Sequence, residues 1–155
     1  MSDIFHKEAF AEINMESSKL RTYKIIKGEI GFERYLTTVR NIKHRKTLTK
    51  FRLSNHTLMI EKGRHQNIEK NRRFCPFCIN SIEDEIHFLL ECKFYANQRE
   101  ELFTSINEKI RDNNMQFYNK NEKFVNLLSN IDFIPFTAHY LVSAFHTREH
   151  LLENS

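Results

Sequence analysis

The stretch CPFCINSIEDEIHFLLECKFYANQREELFTSINEKI, residues 75–110, decides how this chain is read. It opens with Cys75 and Cys78, separated by Pro76 and Phe77, and continues to His87 and Cys92 in a Cys-x2-Cys-x8-His-x4-Cys pattern. Two thiolates so placed can grip one ion from a tight knuckle, and His87 and Cys92 suit a turn or helix start folding back on it. Three sulfurs and one imidazole complete the tetrahedral set of closed structural zinc sites, which keep no position for a catalytic water. The chain has 3 cysteines, all in this pattern, whereas a secreted disulfide scaffold would have an even number spread more widely. One structural Zn2+ on Cys75, Cys78, His87 and Cys92 is therefore expected. The competing account is three buried free cysteines beside a coincidental histidine, with iron–sulfur or redox chemistry at Cys75 and Cys78 a small part of it. Ile82, Ile86, Phe88 and Leu89 are expected to cover the ion and dock it on a core. Glu83, Asp84 and Glu85 read as a solvated helix start, or as a source of one carboxylate for the free nitrogen of His87.

Beyond Cys92, Tyr95, Leu102, Phe103, Ile106 and Ile110 recur at helical spacing, which predicts a long helix. After it come a loop over 113–121, a short helix over 122–129 and a last helix over about 135–153, with Pro135 in its first turn. Upstream, residues 4–16 read as a short amphipathic helix, and 19–29 as another that Gly28 weakens or ends. Phe32, Tyr35, Leu36 and Val39 form a further helical face. Residues 41–46 read as a basic loop, Thr47 as the cap of a helix running to Gly63 as its C-cap, and 64–73 as an irregular basic approach to the knuckle. The fold class expected is mainly α: one domain over 1–155, with a basic helical segment at 19–73, a zinc knuckle inserted at 74–93 and C-terminal helices at 94–155. Only 3 Gly and 2 Pro in 155 residues argue against a turn-rich sheet sandwich.

Charge is unevenly spread. Residues 19–73 hold 16 Lys or Arg against 4 Glu, while residues 74–155 hold 7 against 12 acidic groups. A folded module with one positive face is the expectation, although some of these charges could instead pair with the acidic helices. No apolar run approaches the ~20 residues that cross a bilayer, and the acidic start MSDIFHKEAFAEINMESSK lacks an apolar signal core. An intracellular chain without membrane contact is expected.

The segment SIEDEIHFLLECKFYANQREELF after CPFC resembles the zinc-binding domain at the C-terminal end of reverse transcriptases from non-LTR retrotransposons. LTKFRLSNHTLMIEKGRH is similar to the stretch that precedes the ligands in that family, and SKLRTYKIIKGEIGFERYL to its more upstream part. The resemblance spans about residues 17–105 and implies Cys75, Cys78, His87 and Cys92 as ligands, with Glu83 to Glu85 matching the acidic segment before the histidine. It also implies contact with element RNA or target DNA, and a nuclear location. The chain has no Tyr-x-Asp-Asp polymerase signature, so it reads as a standalone or domesticated relative without polymerase activity.

The expected function is non-catalytic nucleic-acid binding through Lys43, Arg45, Lys46, Lys50, Arg52, Arg64, Arg72 and Arg73, to RNA or DNA, with single strands favoured. Such contacts give salt-dependent, largely sequence-independent affinity, to which Phe74 or Phe77 could add stacking. The alternative is a protein-interaction or dimerisation module with a purely structural zinc, using an apolar patch on the last two helices. An enzyme is the least favoured class, since all cysteines are taken as ligands and His44, His56, His65, His139, His146 and His150 form no catalytic motif.

Overall fold

A computed structural model describes residues 20–27, 31–110 and 113–154. Among them are seven α-helices: α1 (Arg21–Ile26), α2 (Tyr35–Thr38), α3 (Ile42–Arg52), α4 (Met59–His65), α5 (Ala96–Ile110), α6 (Lys120–Ser129) and α7 (Ile134–Glu153). The described residues contain no β-strand, only an isolated antiparallel bridge between Phe74 and Ile82. The mainly α expectation holds. The helix expected at 4–16 and the role expected of Gly28 lie outside the described residues.

The last helix is the spine. Its stripe of Ala138, Leu141, Ala144 and neighbouring Tyr140 is buried, and α3, α5 and α6 all pack on it. Leu48 and Phe51 of α3, Leu102 and Ile106 of α5, and Phe124, Leu127 and Leu128 of α6 close the core at helical spacing. Phe88, from between the metal-ligand candidates, is the aromatic hub. Its ring lies 4.6 Å from Phe145, 4.7 Å from Tyr95, 6.1 Å from Phe51 and 6.5 Å from Tyr140. The Tyr140 hydroxyl also donates to the Phe88 carbonyl at 2.8 Å. The segment 75–92 is thus built into the core rather than appended to it.

The N-terminal half departs from expectation in four places. Of the helical face expected from Phe32, Tyr35, Leu36 and Val39, only Tyr35 and Val39 are buried, while Phe32, which precedes α2, and Leu36 are exposed. Residues 42–46 are helical, because Asn41 rather than Thr47 caps α3, its side chain accepting from the His44 N–H at 3.1 Å. The expected continuous helix to Gly63 breaks after Arg52. Ser54 adopts a left-handed φ of 51° and anchors that turn to α1, its hydroxyl accepting from Thr22 N–H at 3.2 Å. Gly63 is no C-cap but lies inside α4, where a Cβ would stand 2.7 Å from Cγ of Arg73. That close approach, rather than a helix end, calls for glycine. In the C-terminal half, α6 starts at Lys120, two residues before the predicted Glu122, because Asn119 and Glu122 form a reciprocal capping box.

Candidate metal centre

The knuckle is pinched at its base. Cys75 N–H donates to Ser81 O at 2.7 Å and Glu83 N–H to Arg73 O at 2.9 Å, one on each side of the Phe74–Ile82 bridge. Inside the loop Ile79 takes φ 49°, a left-handed conformation that β-branched residues rarely adopt. Asp84 then caps a helical turn, accepting from His87 N–H at 2.8 Å.

The chain next forms a π-turn over His87–Glu91, closed by Cys92 N–H donating to His87 O at 2.7 Å. In an α-helix, five residues would carry Cys92 about 140° around the axis from His87. The widened i→i+5 turn instead brings both side chains to one face. The x4 spacing of the sequence pattern is the length this turn requires.

The four ligand candidates meet. One atom from each of Cys75, Cys78, His87 and Cys92 lies within 4.8 Å of the other three, and the cysteines are free thiols. Sγ of Cys78 and Sγ of Cys92 are 3.6 Å apart. A tetrahedron with Zn–S bonds of about 2.3 Å has an S–S edge of about 3.8 Å, whereas a disulfide measures about 2.05 Å. His87 is buried, and its Nε2 has no hydrogen-bond partner. A buried imidazole nitrogen left without a hydrogen bond beside three sulfurs is the mark of a donor whose partner is a metal ion. The donor set therefore fits a metal ion, and its chemistry fits zinc.

Protons are shared unequally among these groups. The neighbouring Cys92 sulfur holds the Cys75 thiol well below its ordinary value, aided by His87 and opposed by burial. The same contact with Cys75, together with burial, pushes Cys92 up. His87 is raised mainly by the neighbouring Cys75 sulfur, against burial. Three sulfurs this close carry one negative charge comfortably and three only around a cation.

The acidic segment is not solvated. Glu83 is buried, and its carboxylate accepts from Arg148 Nε and Nη2 at 2.7 and 2.8 Å and from Met59 N–H at 2.6 Å. Glu85 is buried too, accepting from Arg21 at 2.6 and 3.2 Å, with His56 Nε2 at 2.9 Å from the same carboxylate. Burial pushes Glu85 up, but His56 and Arg21 outweigh it and hold the carboxyl down at about 2. Arg21 also pairs with Glu61, which Arg64 contacts at 2.8 Å. These ion pairs tie the knuckle to α1, α4 and α7. None of the three acids holds the free nitrogen of His87; the carboxylate facing Nδ1 is Glu91, at 3.8 Å.

The eight basic candidates divide evenly. Lys43, Lys46, Lys50 and Arg72 are exposed. Arg52 is only 3% exposed and lies beneath the surface, bonded to Glu33 at 2.7 Å and to the Leu128 carbonyl, with its guanidinium over the Tyr35 ring. Arg73 donates to Ile68 O and Ile60 O, both at 2.9 Å. Arg45 donates to Leu36 O and Val39 O, and Arg64 is taken by Glu61. These four arginines hold the fold together, and Arg52 is corrected from surface contact to core residue. Of the ring candidates, Phe74 is exposed, while Phe77 is half-buried against Phe94, which is itself exposed.

Sequence reasoning did not place Arg21, His56, Glu61 or Arg148 in this network of buried ion pairs. Only Arg148 carried a local signal: it lies four residues after Ala144 and seven after Leu141, on the buried stripe of α7. No helix of the described residues is long and apolar enough to cross a membrane. No protein-family model, curated protein or solved structure matches the chain, so its cysteine and histidine cluster is established by its own geometry.

Proposed function

We propose that this protein is a non-catalytic module in which one structural Zn2+ fixes a helical body that binds nucleic acid along α3. The observation that carries the reading is the placement of Lys43, Lys46 and Lys50. They recur at i, i+3 and i+7 on α3, all are exposed, and none pairs with a carboxylate among the described residues. Leu48, Phe51 and Arg52 fill the opposite, buried face. A row of unpaired ammonium groups about 10 Å long suits successive phosphates and carries no base code. Arg72, with exposed Phe74 beside it, offers a second contact and an aromatic face, which favours an unpaired strand. Four protein donors leave no coordination position for a water, in keeping with a structural metal. The likeness to the retrotransposon zinc domain, and with it a nuclear setting, belongs to the same proposal.

The alternative, a partner surface on the last two helices, lacks support there: the large exposed apolar residue among their described positions is Leu152.

The test is a salt titration of zinc-loaded protein against labelled single-stranded RNA, single-stranded DNA and duplex. Micromolar or tighter binding is expected, with Lys43→Ala, Lys46→Ala and Lys50→Ala together lowering the log–log salt slope by about 2 for a single strand. No binding at low salt, or a slope unchanged in the triple variant, would overturn the proposal.

A further inference from the structure

The geometry points to a second, labile metal site on α7, in which His146 and His150 together take one divalent transition ion of the imidazole-favouring class, such as Ni2+ or Zn2+. The segment HTREH at 146–150 lies wholly within the 20-residue helix Ile134–Glu153. Positions i and i+4 of a helix are neighbours, with Cβ atoms about 5–6 Å apart. Two imidazoles so placed can converge on one ion at bond lengths of about 2.0–2.1 Å. Both histidines are exposed, and neither forms a side-chain hydrogen bond or ion pair with a described residue.

The surroundings select a cation. His150 stands in the last turn of α7, where unsatisfied carbonyls form the negative end of the helix dipole. Glu149 and Glu153, each three residues after one of the histidines, are exposed carboxylates on adjacent helix positions. The one fixed cation of the segment, Arg148, faces the core and is neutralised by Glu83 at 2.7 and 2.8 Å. That clamp also fixes the helix beneath the pair, while Asn154 Nδ2 donates to His150 O at 2.6 Å and closes its end. Little backbone order remains to be lost on binding.

The site differs in kind from the cysteine centre. The group of three or more ligating side chains among the described residues is Cys75, Cys78, His87 and Cys92. The histidine pair thus supplies two protein ligands and leaves the other coordination positions to water or an exchangeable ligand.

Ni2+, which does not oxidise thiols, is the probe. It is titrated into zinc-loaded full-length protein by calorimetry, with zinc release followed in parallel and paramagnetic broadening of histidine ring protons read by NMR. The expected result is a one-ion site that broadens His146 and His150 without zinc release. Each of His146→Ala and His150→Ala should weaken it at least tenfold, while His139→Ala, exposed on the same helix, leaves it unchanged. Ni2+ affinity and broadening unaltered in the His146→Ala/His150→Ala double variant, or no broadening of these rings in the wild type, would overturn the assignment.

Discussion

The acidic run Glu83–Glu85 and the basic helix α3 look alike in the sequence, each a cluster of one charge sign, yet they end in opposite places. Two of the three acids are buried and paired with arginines 64 and 65 residues away in sequence, whereas three lysines of α3 are exposed and unpaired. The residue types explain the split. A guanidinium offers a planar fork that satisfies a buried carboxylate bidentately, and a lysine ammonium, compact and strongly hydrated, is better left in water. Of the basic residues expected on the binding face, every arginine but Arg72 serves the interior and every lysine stays outside. The difference teaches that in this chain the choice between Arg and Lys, more than charge density, separates fold from surface.

That comparison can be broken from its buried side first. Cys92→Ala is expected to abolish stoichiometric zinc binding, measured by dye competition after chelator treatment. It should also cost more stability than any core truncation, because structural zinc contributes of order 10 kcal/mol of folding free energy. Next, Glu83→Ala strands Arg148 and should cost about 3–5 kcal/mol in urea unfolding. Replacing both partners, Glu83→Leu with Arg148→Met, should recover part of that loss, the Met59 N–H being left without its acceptor. A surface pair would lose under about 1 kcal/mol, and a value that small would refute the buried clamp.

The third expectation concerns pH. The Glu85 carboxyl sits at about 2 in the fold against an ordinary value of 4.5. A lowered folded value means its contribution is fully present above about pH 4.5 and is lost as pH falls toward 2. The stability advantage of wild type over Glu85→Gln should shrink through that window. Protonation of the metal ligands is common to both proteins and cancels in the difference. An advantage independent of pH would refute the role assigned to Arg21 and His56. The smallest effect is at the knuckle tip: Ile79 is 73% exposed with φ 49°, so Ile79→Gly relieves strain while losing little burial. A gain of up to about 1 kcal/mol in thermal unfolding is expected.

The features legible in advance rest on local rules. The cysteine and histidine cluster was legible because local spacing brings Cys75, Cys78, His87 and Cys92 together, and α5 to α7 because their apolar periods are long. The start of α3 was not legible in a run of six residues holding four basic side chains, since Asn41 outweighs the polarity that suggested a loop. The break after Arg52 depends on Ser54 meeting Thr22, a contact between segments 32 residues apart. The fates of Glu83 and Glu85 lie with Arg148, Arg21 and His56, and no pattern within the acidic run could have named those partners.

The π-turn at His87–Glu91 has a consequence for the order of folding. One widened turn holds a ligand candidate at each end, His87 and Cys92, and between them presents Phe88 and Leu89, both fully buried, to the centre of the helical body. If that turn relaxed to ordinary helical pitch, the ligands would part and the Phe88 ring would rotate out of its contacts with Phe145 and Tyr95. With the proposed ion bound there, its capture and the closing of the aromatic centre would be a single cooperative event, and a chain deprived of metal would lack its keystone and not merely a loop.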